Sequence, residues 1–417
     1  MSSIDAEKAQ PRAENDAPDG GRSAWLVVLG AWCCTFVSFG WVNSVGAFQE
    51  YYQNSLLKDY SASTIAWIPS LQIFFMNVMG PLIGIIYDRY GPHHLLLGGT
   101  LLHVFGLMMA SLGSKYYQLL LAQGLCSAIG VSAVVQPAMS AIHGWFSKKR
   151  GTAFGILATG SSLGGVIFPI MVSRLIRQVG FPWTMRICAF LILALLVVAN
   201  LTVKTFAPPR PQKRTINDYT QPLKEFDFLL LTLGFFCFTF GIYVPINYLE
   251  VQALQAGVSK ALVPYLIPIL NAASLFGRLF SGFAGDSIGR YNIFVIVCAL
   301  TGIWVLALWI PSHNTGAITA FAALFGFSSG AYVSLIGPLV ALVSPLSEIG
   351  FRTGIVFFVA SIAGLVTNPI CGAILGNDPD TSWTGVQVYS GVFCLVGTVL
   401  LAISRLKMTN WKVLAVL

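Results

Sequence analysis

Long stretches of this chain contain no Asp, Glu, Lys or Arg, among them residues 23–49, 60–87, 90–114, 116–147, 353–377 and 381–404. Each is long enough to cross a hydrocarbon layer as a helix, which takes about 20 residues. Residues 291–347 are also uncharged and are broken by Pro311-Ser312-His313-Asn314-Thr315-Gly316, so they read as two spans and a turn. A soluble fold needs charge to cover its surface, and this chain is 56% hydrophobic and only 10% charged, with a mean hydropathy of +0.75. The sequence therefore predicts an all-α membrane protein and excludes a soluble enzyme.

Twelve spans are expected, near residues 24–48, 64–87, 94–113, 117–142, 151–173, 182–203, 227–249, 261–284, 292–311, 316–341, 353–374 and 386–405. The first apolar run follows 22 polar residues and precedes eleven more spans, so it reads as a span rather than a cleaved signal. With both termini cytoplasmic, 17 of the 24 Lys and Arg fall in or beside cytoplasmic segments, five fall outside and two lie within spans. The positive-inside bias selects this topology. The net charge of +8 has the same origin. Basic residues divided among short loops suit anionic lipid, and nucleic acid is not expected as a partner. The expected division is a disordered cytoplasmic tail (1–22), a six-helix bundle (23–203), a cytoplasmic linker (204–225), a second six-helix bundle (226–405) and a tail (406–417). All eight cysteines lie in apolar spans, and no cysteine–histidine spacing suggests a metal, so neither disulfide, metal nor cofactor is expected.

The chain is also written twice. Gly84, Asp88 and Gly91 recur as Gly282, Asp286 and Gly289, a shift of 198 residues, and Gly164 and Pro169 recur as Gly364 and Pro369, a shift of 200. Parallel repeats of this kind suggest two halves moving about a central site. The Asp88-Arg89-Tyr90-Gly91 turn and its counterpart with Asp286 and Arg290 are the expected gating elements, able to exchange charge contacts with a neighbouring helix end. Their rival role is to fix loop position and topology. Pro169 and Pro369 are candidates for paired gating bends, because proline removes a helical hydrogen bond.

Polar groups in the hydrocarbon region are costly and usually face a cavity or one another. Arg278 lies eight residues before Asp286, roughly 12 Å deeper along a helix. Its planar fork of donors suits a carboxylate, and a structural role against backbone carbonyls is the even alternative. Asn43 and Asn271 are the other deep candidates for a substrate pocket. Gln123, Tyr243, Asn247, Tyr332 and Asn368 could line the same amphipathic space, although for each alone a helix–helix hydrogen bond is the more ordinary role. His103 is the histidine well inside a span whose titration could relay protons, with packing as the bland reading.

The run Gly84-Ile85-Ile86-Tyr87-Asp88-Arg89-Tyr90-Gly91 resembles the signature turn of the major facilitator superfamily, with Pro92-His93-His94 in place of its usual basic ending. The likeness extends over residues 23–405. Within that superfamily the chain resembles the fungal branch of the monocarboxylate transporter family, on Asp19-Gly20-Gly21 with Trp25, on Lys149-Arg150-Gly151-Thr152-Ala153-Phe154-Gly155, and on Gly277-Arg278 through Gly282. The resemblance implies the major facilitator fold, with twelve transmembrane helices in two pseudo-symmetric six-helix bundles and alternating access between them. It also implies that Arg278 matches the family's anion-binding arginine. The family's lysine in the first span is matched by Asn43, and its acidic residue ahead of the arginine is replaced by Ile267 or Ser274. Both departures weigh against proton-coupled lactate transport.

The expectation is a secondary transporter in the plasma membrane. Its substrate would be a small, carboxylate-bearing organic molecule, and protons a candidate co-substrate. Export of an organic acid or secondary metabolite is preferred, with uptake of a monocarboxylate or vitamin as the alternative. A non-transporting receptor or scaffold and an ion channel are the rivals from other classes. No obligate protein partner is evident.

Overall fold

In a computed structural model, residues 17–44, 48, 49, 51–207, 219–375, 383–412, 415 and 416 are described, and these are helical apart from short connections. Membrane-length helices are α1 (Arg22–Val42), α2 (Thr64–Tyr90), α3 (His93–Leu112) and α4 (Tyr116–Ile142), followed by a 53-residue stretch, Arg150–Thr202. That stretch contains two spans. Gly180 has φ 77° and ψ 166°, which no helix accommodates, and Pro182 follows it. Residues 150–179 are therefore α5 and residues 181–202 are α6. The second half comprises α7 (Phe226–Gln255), α8 (Val263–Ile288), α9 (Arg290–Trp309), α10 (Thr315–Leu342), α11 (Leu346–Leu375) and α12 (Thr384–Met408). The twelve expected spans are all present.

Several helices outrun the apolar segments that predict them. Helix α5 continues past residue 173 because Arg174 and Arg177 can extend their charged ends toward water while the backbone remains helical. Helix α1 ends at Val42, short of the expected residue 48. The chain stays helical through Pro169 and Pro369. A break in the first half lies at Gly180, between spans.

Close helix packing recurs within each half. In the first, α1 packs on α5 and α6, where Gly40 meets Gly164 and Gly30 meets Thr202. In the second, α7 packs on α12 and α8 on α10 through Gly234, Gly241, Gly277, Gly326 and Gly330. Close backbone approach gives van der Waals contact where apolar burial offers no gain over lipid. The halves meet chiefly along two seams, α5 against α8 and α2 against α11, with α10 also touching α5 and α11 touching α4. Advancing each helix of the first seam by six spans yields the second, the relation a duplicated chain requires.

The connections are more ordered than their composition predicts. Asp19 lies ahead of α1, where a disordered tail was expected, yet its Oδ1 accepts the N–H groups of Ser147 (2.8 Å) and Lys149 (3.1 Å). A polar segment orders when its polar groups find fixed partners. The rest of that tail, residues 1–16, and residues 208–218 of the expected linker lie outside the described residues. The last linker residue, Glu225, pairs with Arg352 of α11.

Candidate functional site

Twelve spans are an even number, so the start of α1 and the end of α12 lie at the same end of the bundle, together with the 84–91 and 282–289 turns. Here the duplicated aspartates cross between halves. The Asp88 carboxylate, at the end of α2, accepts the N–H groups of Gly350 and Phe351 at the start of α11, each at 3.0 Å. The Asp286 carboxylate, at the end of α8, accepts those of Gly151 (2.9 Å) and Thr152 (2.7 Å) at the start of α5. The first N–H groups of a helix have no intrahelical partner and carry the positive end of its dipole. A carboxylate satisfies both, and hydrogen bonds to charged groups contribute about 1.5–3 kcal/mol each.

Glycine makes these contacts reachable. An added Cβ at Gly84 would lie 2.2 Å from the Gly350 carbonyl oxygen, and one at Gly282 would lie 2.7 Å from that of Gly151. The paired glycines therefore serve the latches, and Gly91 and Gly289, with φ of 77° and 108°, turn the chain directly after them.

The charged neighbours do not duplicate so well. Arg290 donates through Nε to Asp286 (2.9 Å) and through a terminal nitrogen to the carbonyls of Ser147 (2.6 Å) and Lys148 (2.9 Å) in the first half. Arg89 is exposed and lies over the Tyr90 ring at 5.2 Å. Of the two expected gating arginines, Arg290 spans the halves. Arg89 follows its aspartate directly and so sits on another helix face, whereas Arg290 begins the next helix and turns back.

His143 sits beneath the α5–α8 latch, its ring 4.8 Å from that of Phe154. Burial first, then the Arg150 and Arg290 guanidinium groups, hold its imidazole well below the ordinary histidine range.

The α5–α8 seam continues inward as a line of polar contacts. Arg278 is buried and donates to the Ala158 carbonyl and the Ser161 hydroxyl of α5. Its Nε has no hydrogen-bond partner, and among the described residues no carboxylate lies within ion-pair distance. Ser162 and Ser274 share a hydrogen bond of 2.6 Å across the seam. Deeper still, Asn271 Nδ2 donates to Asn43 Oδ1 at 3.3 Å, again across the halves. The structure thus brings Arg278, Asn43 and Asn271 onto one seam. Asn271 is fifteen residues from Asp286, roughly 22 Å along the helix.

The remaining expected pocket residues fall elsewhere. Asn247 of α7 donates to Asn368 of α11 at 2.9 Å. Tyr243 is within 3.5 Å of the place a Gly364 side chain would occupy, opposite Ile73 of α2, so these three belong to the α2–α11 side. Gln123 lies within the first half, accepting from Tyr52 at 2.8 Å beside a cavity lined by Phe48, Ile65, Ile68 and Pro69. Tyr332 is packed among Phe235, Phe238 and Phe294 in the second half's core. His103 is buried inside the first half between Ser127 (2.8 Å) and the Val37 carbonyl (3.3 Å). Its partners suit the packed reading better than a relay.

Sequence reasoning missed several contributors. Asp19 was read only as part of a family-like motif and not as a contact of the latch, and His143 has no spacing signal. Ser162 could have been found, since it continues the face of Gly151, Gly155 and Ala158 at helical intervals. Arg352 could also have been found. It binds Glu348 one turn back at 2.9 Å and Glu225 at 2.8 Å, bracing the helix start that Asp88 caps.

Comparison with known proteins points one way. A family model described as Major Facilitator Superfamily matches residues 29–315 and 231–414. The chain is 56% identical to "MFS transporter asaE" of Aspergillus flavus, over 98% of this chain and 93% of that protein. It is 53% identical to the "Fujikurins efflux protein" of Gibberella fujikuroi, over 98% and 88%. To the "Agnestins efflux protein AgnL12" of Paecilomyces divaricatus it is 38% identical, over 92% and 88%. Among solved structures it resembles the crystal structure of the transporter FucP in the outward conformation. The TM-score is 0.70 at 14% identity, covering 92% of this chain and 99% of that one.

Proposed function

The chain belongs to the Major Facilitator Superfamily, as an integral multi-pass membrane transporter and not an enzyme, and on that premise we propose that it exports a small organic anion by alternating access. The observation that carries the reading is the pair of crossed latches. Asp88 holds α11 and Asp286 holds α5, so both seams are fastened at the terminus-bearing end by contacts that separating halves must release. A conformational change follows a ligand when the ligand binds the two states differently.

Arg278 supplies the chemistry. It is a buried cation on the α5–α8 seam with an unused donor and, among the described residues, no carboxylate within ion-pair distance. A carboxylate-bearing substrate would complete its hydrogen bonding and balance its charge. The Asn43–Asn271 amide pair lies beyond it along the same seam and is suited to the neutral polar part of the cargo. Tyr243, Asn247 and Asn368 would receive the far side of a larger molecule from α7 and α11.

Export is favoured by the relatives whose printed names are efflux proteins for fujikurins and agnestins. Both termini are cytoplasmic in this reading, the membrane is the plasma membrane, and the latched end faces the cytoplasm. The likeness to the monocarboxylate transporter family rests on the Asp19, Lys149–Gly155 and Gly277–Gly282 motifs. The test is a comparison of metabolites inside and outside cells lacking or overexpressing the chain, followed by flux of the responding compound in reconstituted vesicles. Export predicts accumulation inside cells that lack the chain. Accumulation inside cells that overexpress it would establish uptake instead, and no saturable flux of any responding compound would end the transport reading of this site.

A further inference from the structure

One peptide group in the loop before α5 is held at both ends by opposite charges from different parts of the chain. The Lys148 carbonyl accepts Arg290 of the second half at 2.9 Å. The Lys149 N–H, in the same peptide plane, donates to the Asp19 carboxylate at 3.1 Å. The two peptides before it are each held at one end by the same pair, the Ser147 N–H donating to Asp19 (2.8 Å) and the Ser147 carbonyl, in the next peptide, accepting from Arg290 (2.6 Å). A carboxylate on the N–H and a guanidinium on the carbonyl polarise a peptide in the same sense, and each strengthens the other's hydrogen bond.

The surrounding structure is built to hold this arrangement. Asp19 has φ 49°, a conformation that non-glycine residues rarely adopt, and Gly21 after it has φ 86°. The Asp19 N–H donates to the Trp145 carbonyl at 3.1 Å, which fixes the segment from a second direction. Trp145 donates to the Lys204 carbonyl at 2.8 Å, and Trp25 of α1 meets Phe146 edge-on at 5.1 Å. The loop is therefore fixed within its own half, with its Ser147 and Lys148 carbonyls presented to the opposite one. The α2–α11 latch is built differently, with Glu225, Glu348 and Arg352 bracing its helix start.

We propose that Asp19 is a positioning residue of the α5–α8 latch, orienting and polarising the Lys148–Lys149 peptide that Arg290 grips from the other half. Asp19 then sets how firmly one latch closes through its contacts with Trp145, Ser147 and Lys149 of its own half. This rests on the alternating-access reading above and extends it to a control element outside the helical bundle.

The test uses the full chain in vesicles with a reporter cysteine, Ala158→Cys, on the α5 face that meets α8. The readout is its labelling rate by a charged maleimide added on the side of the termini, with the chain lacking the reporter as background. Asp19→Ala should raise the rate roughly fivefold, the effect of losing about one net hydrogen bond. Asp19→Asn, which keeps an acceptor oxygen and loses the charge, should recover part of the difference. Arg290→Ala should raise the rate by itself, and adding Asp19→Ala to it should then change the rate less than about twofold, because coupled groups are non-additive. A parental rate in Asp19→Ala, or a full fivefold effect of Asp19→Ala in the Arg290→Ala background, would overturn the proposal. If Asp19→Ala does not fold, the comparison rests on Asp19→Asn, and a parental rate there would overturn it equally. Flux measured in the same vesicles separates the two readings: flux with no Asp19 effect removes the relay alone.

Discussion

Asp88 accepts the backbone N–H of Gly350, 262 positions further along the chain, at 3.0 Å. The bond joins the end of one helix to the start of another in the opposite half, and Asp286 repeats it with Gly151 at 2.9 Å. Two carboxylates on two helix N-termini make the closed end a symmetric pair of releasable contacts.

Replacing either aspartate by asparagine should loosen that end. Asp88→Asn and Asp286→Asn keep an acceptor oxygen and lose the charge that complements the helix dipole, an effect of about 0.3–2 kcal/mol. Labelling of a seam cysteine from the side of the termini should rise roughly twofold to thirtyfold for each. The double variant should exceed both single ones. Unchanged labelling in both would mean that these contacts do not govern which face is open.

Glycines on a seam between halves and glycines within a half should fail differently. A Cβ at Gly277 would meet the Phe327 carbonyl carbon at 2.7 Å inside the second half's core. Gly277→Ala should therefore lower thermal stability by about 1–3 kcal/mol, the usual cost of overpacking. Gly282→Ala presses on Gly151 across the seam. It should favour the open latch while leaving the melting temperature nearly unchanged, since separation of the halves relieves the clash. Equal thermal losses in both variants would contradict this division.

Arg278→Gln should abolish saturable transport of an anionic cargo, and Arg278→Lys should retain a small part of it. Lysine restores the charge but not the planar fork. A loss of at least tenfold at equal protein level is expected, comparable to one charge-assisted hydrogen bond of about 1.5–3 kcal/mol. Flux and substrate preference equal to the parent would remove Arg278 from the binding site.

Acidification should open the α5–α8 latch through His143. Its proton affinity is lowered in the closed state by burial and by Arg150 and Arg290, and separation of the halves carries Arg290 away. The open state then binds more protons. A depressed affinity in the closed state means that closure is fully favoured at neutral pH and weakens as pH falls through the open-state value, which burial and Arg150 still hold below the ordinary histidine range. Labelling of the seam cysteine should rise on acidification below that range, by at most about tenfold per unit. In His143→Asn this rise should flatten, and an unchanged pH profile there would assign the effect to other groups.

Much of this architecture was legible in the residues. Uncharged runs announced the twelve spans, because the hydrocarbon layer tolerates little else, and the Gly84–Gly91 frame recurring at 282–289 announced two halves. The limits of that reading are equally physical. Tyr332 and Gln123 looked like pocket residues because a polar group in a span has the same cost wherever it points. Only packing shows that one lies among aromatic rings and the other, bonded to Tyr52, lines a cavity inside the first half rather than the seam between halves. Asp19 looked like part of a solvated tail, because composition does not register a partner 128 positions away.

The sequence alone determined that the chain crosses a membrane, how many times, and that its two halves share a plan. These follow from local hydropathy and internal repetition, which need no knowledge of neighbours. Tertiary structure alone decided that Asp88 and Asp286 cap helices of the opposite half, that Arg290 rather than Arg89 spans the seam, and that Arg278, Asn43 and Asn271 share one face. Those relations depend on which helix ends meet in space, and contacts between residues more than a hundred positions apart leave no periodicity in the chain.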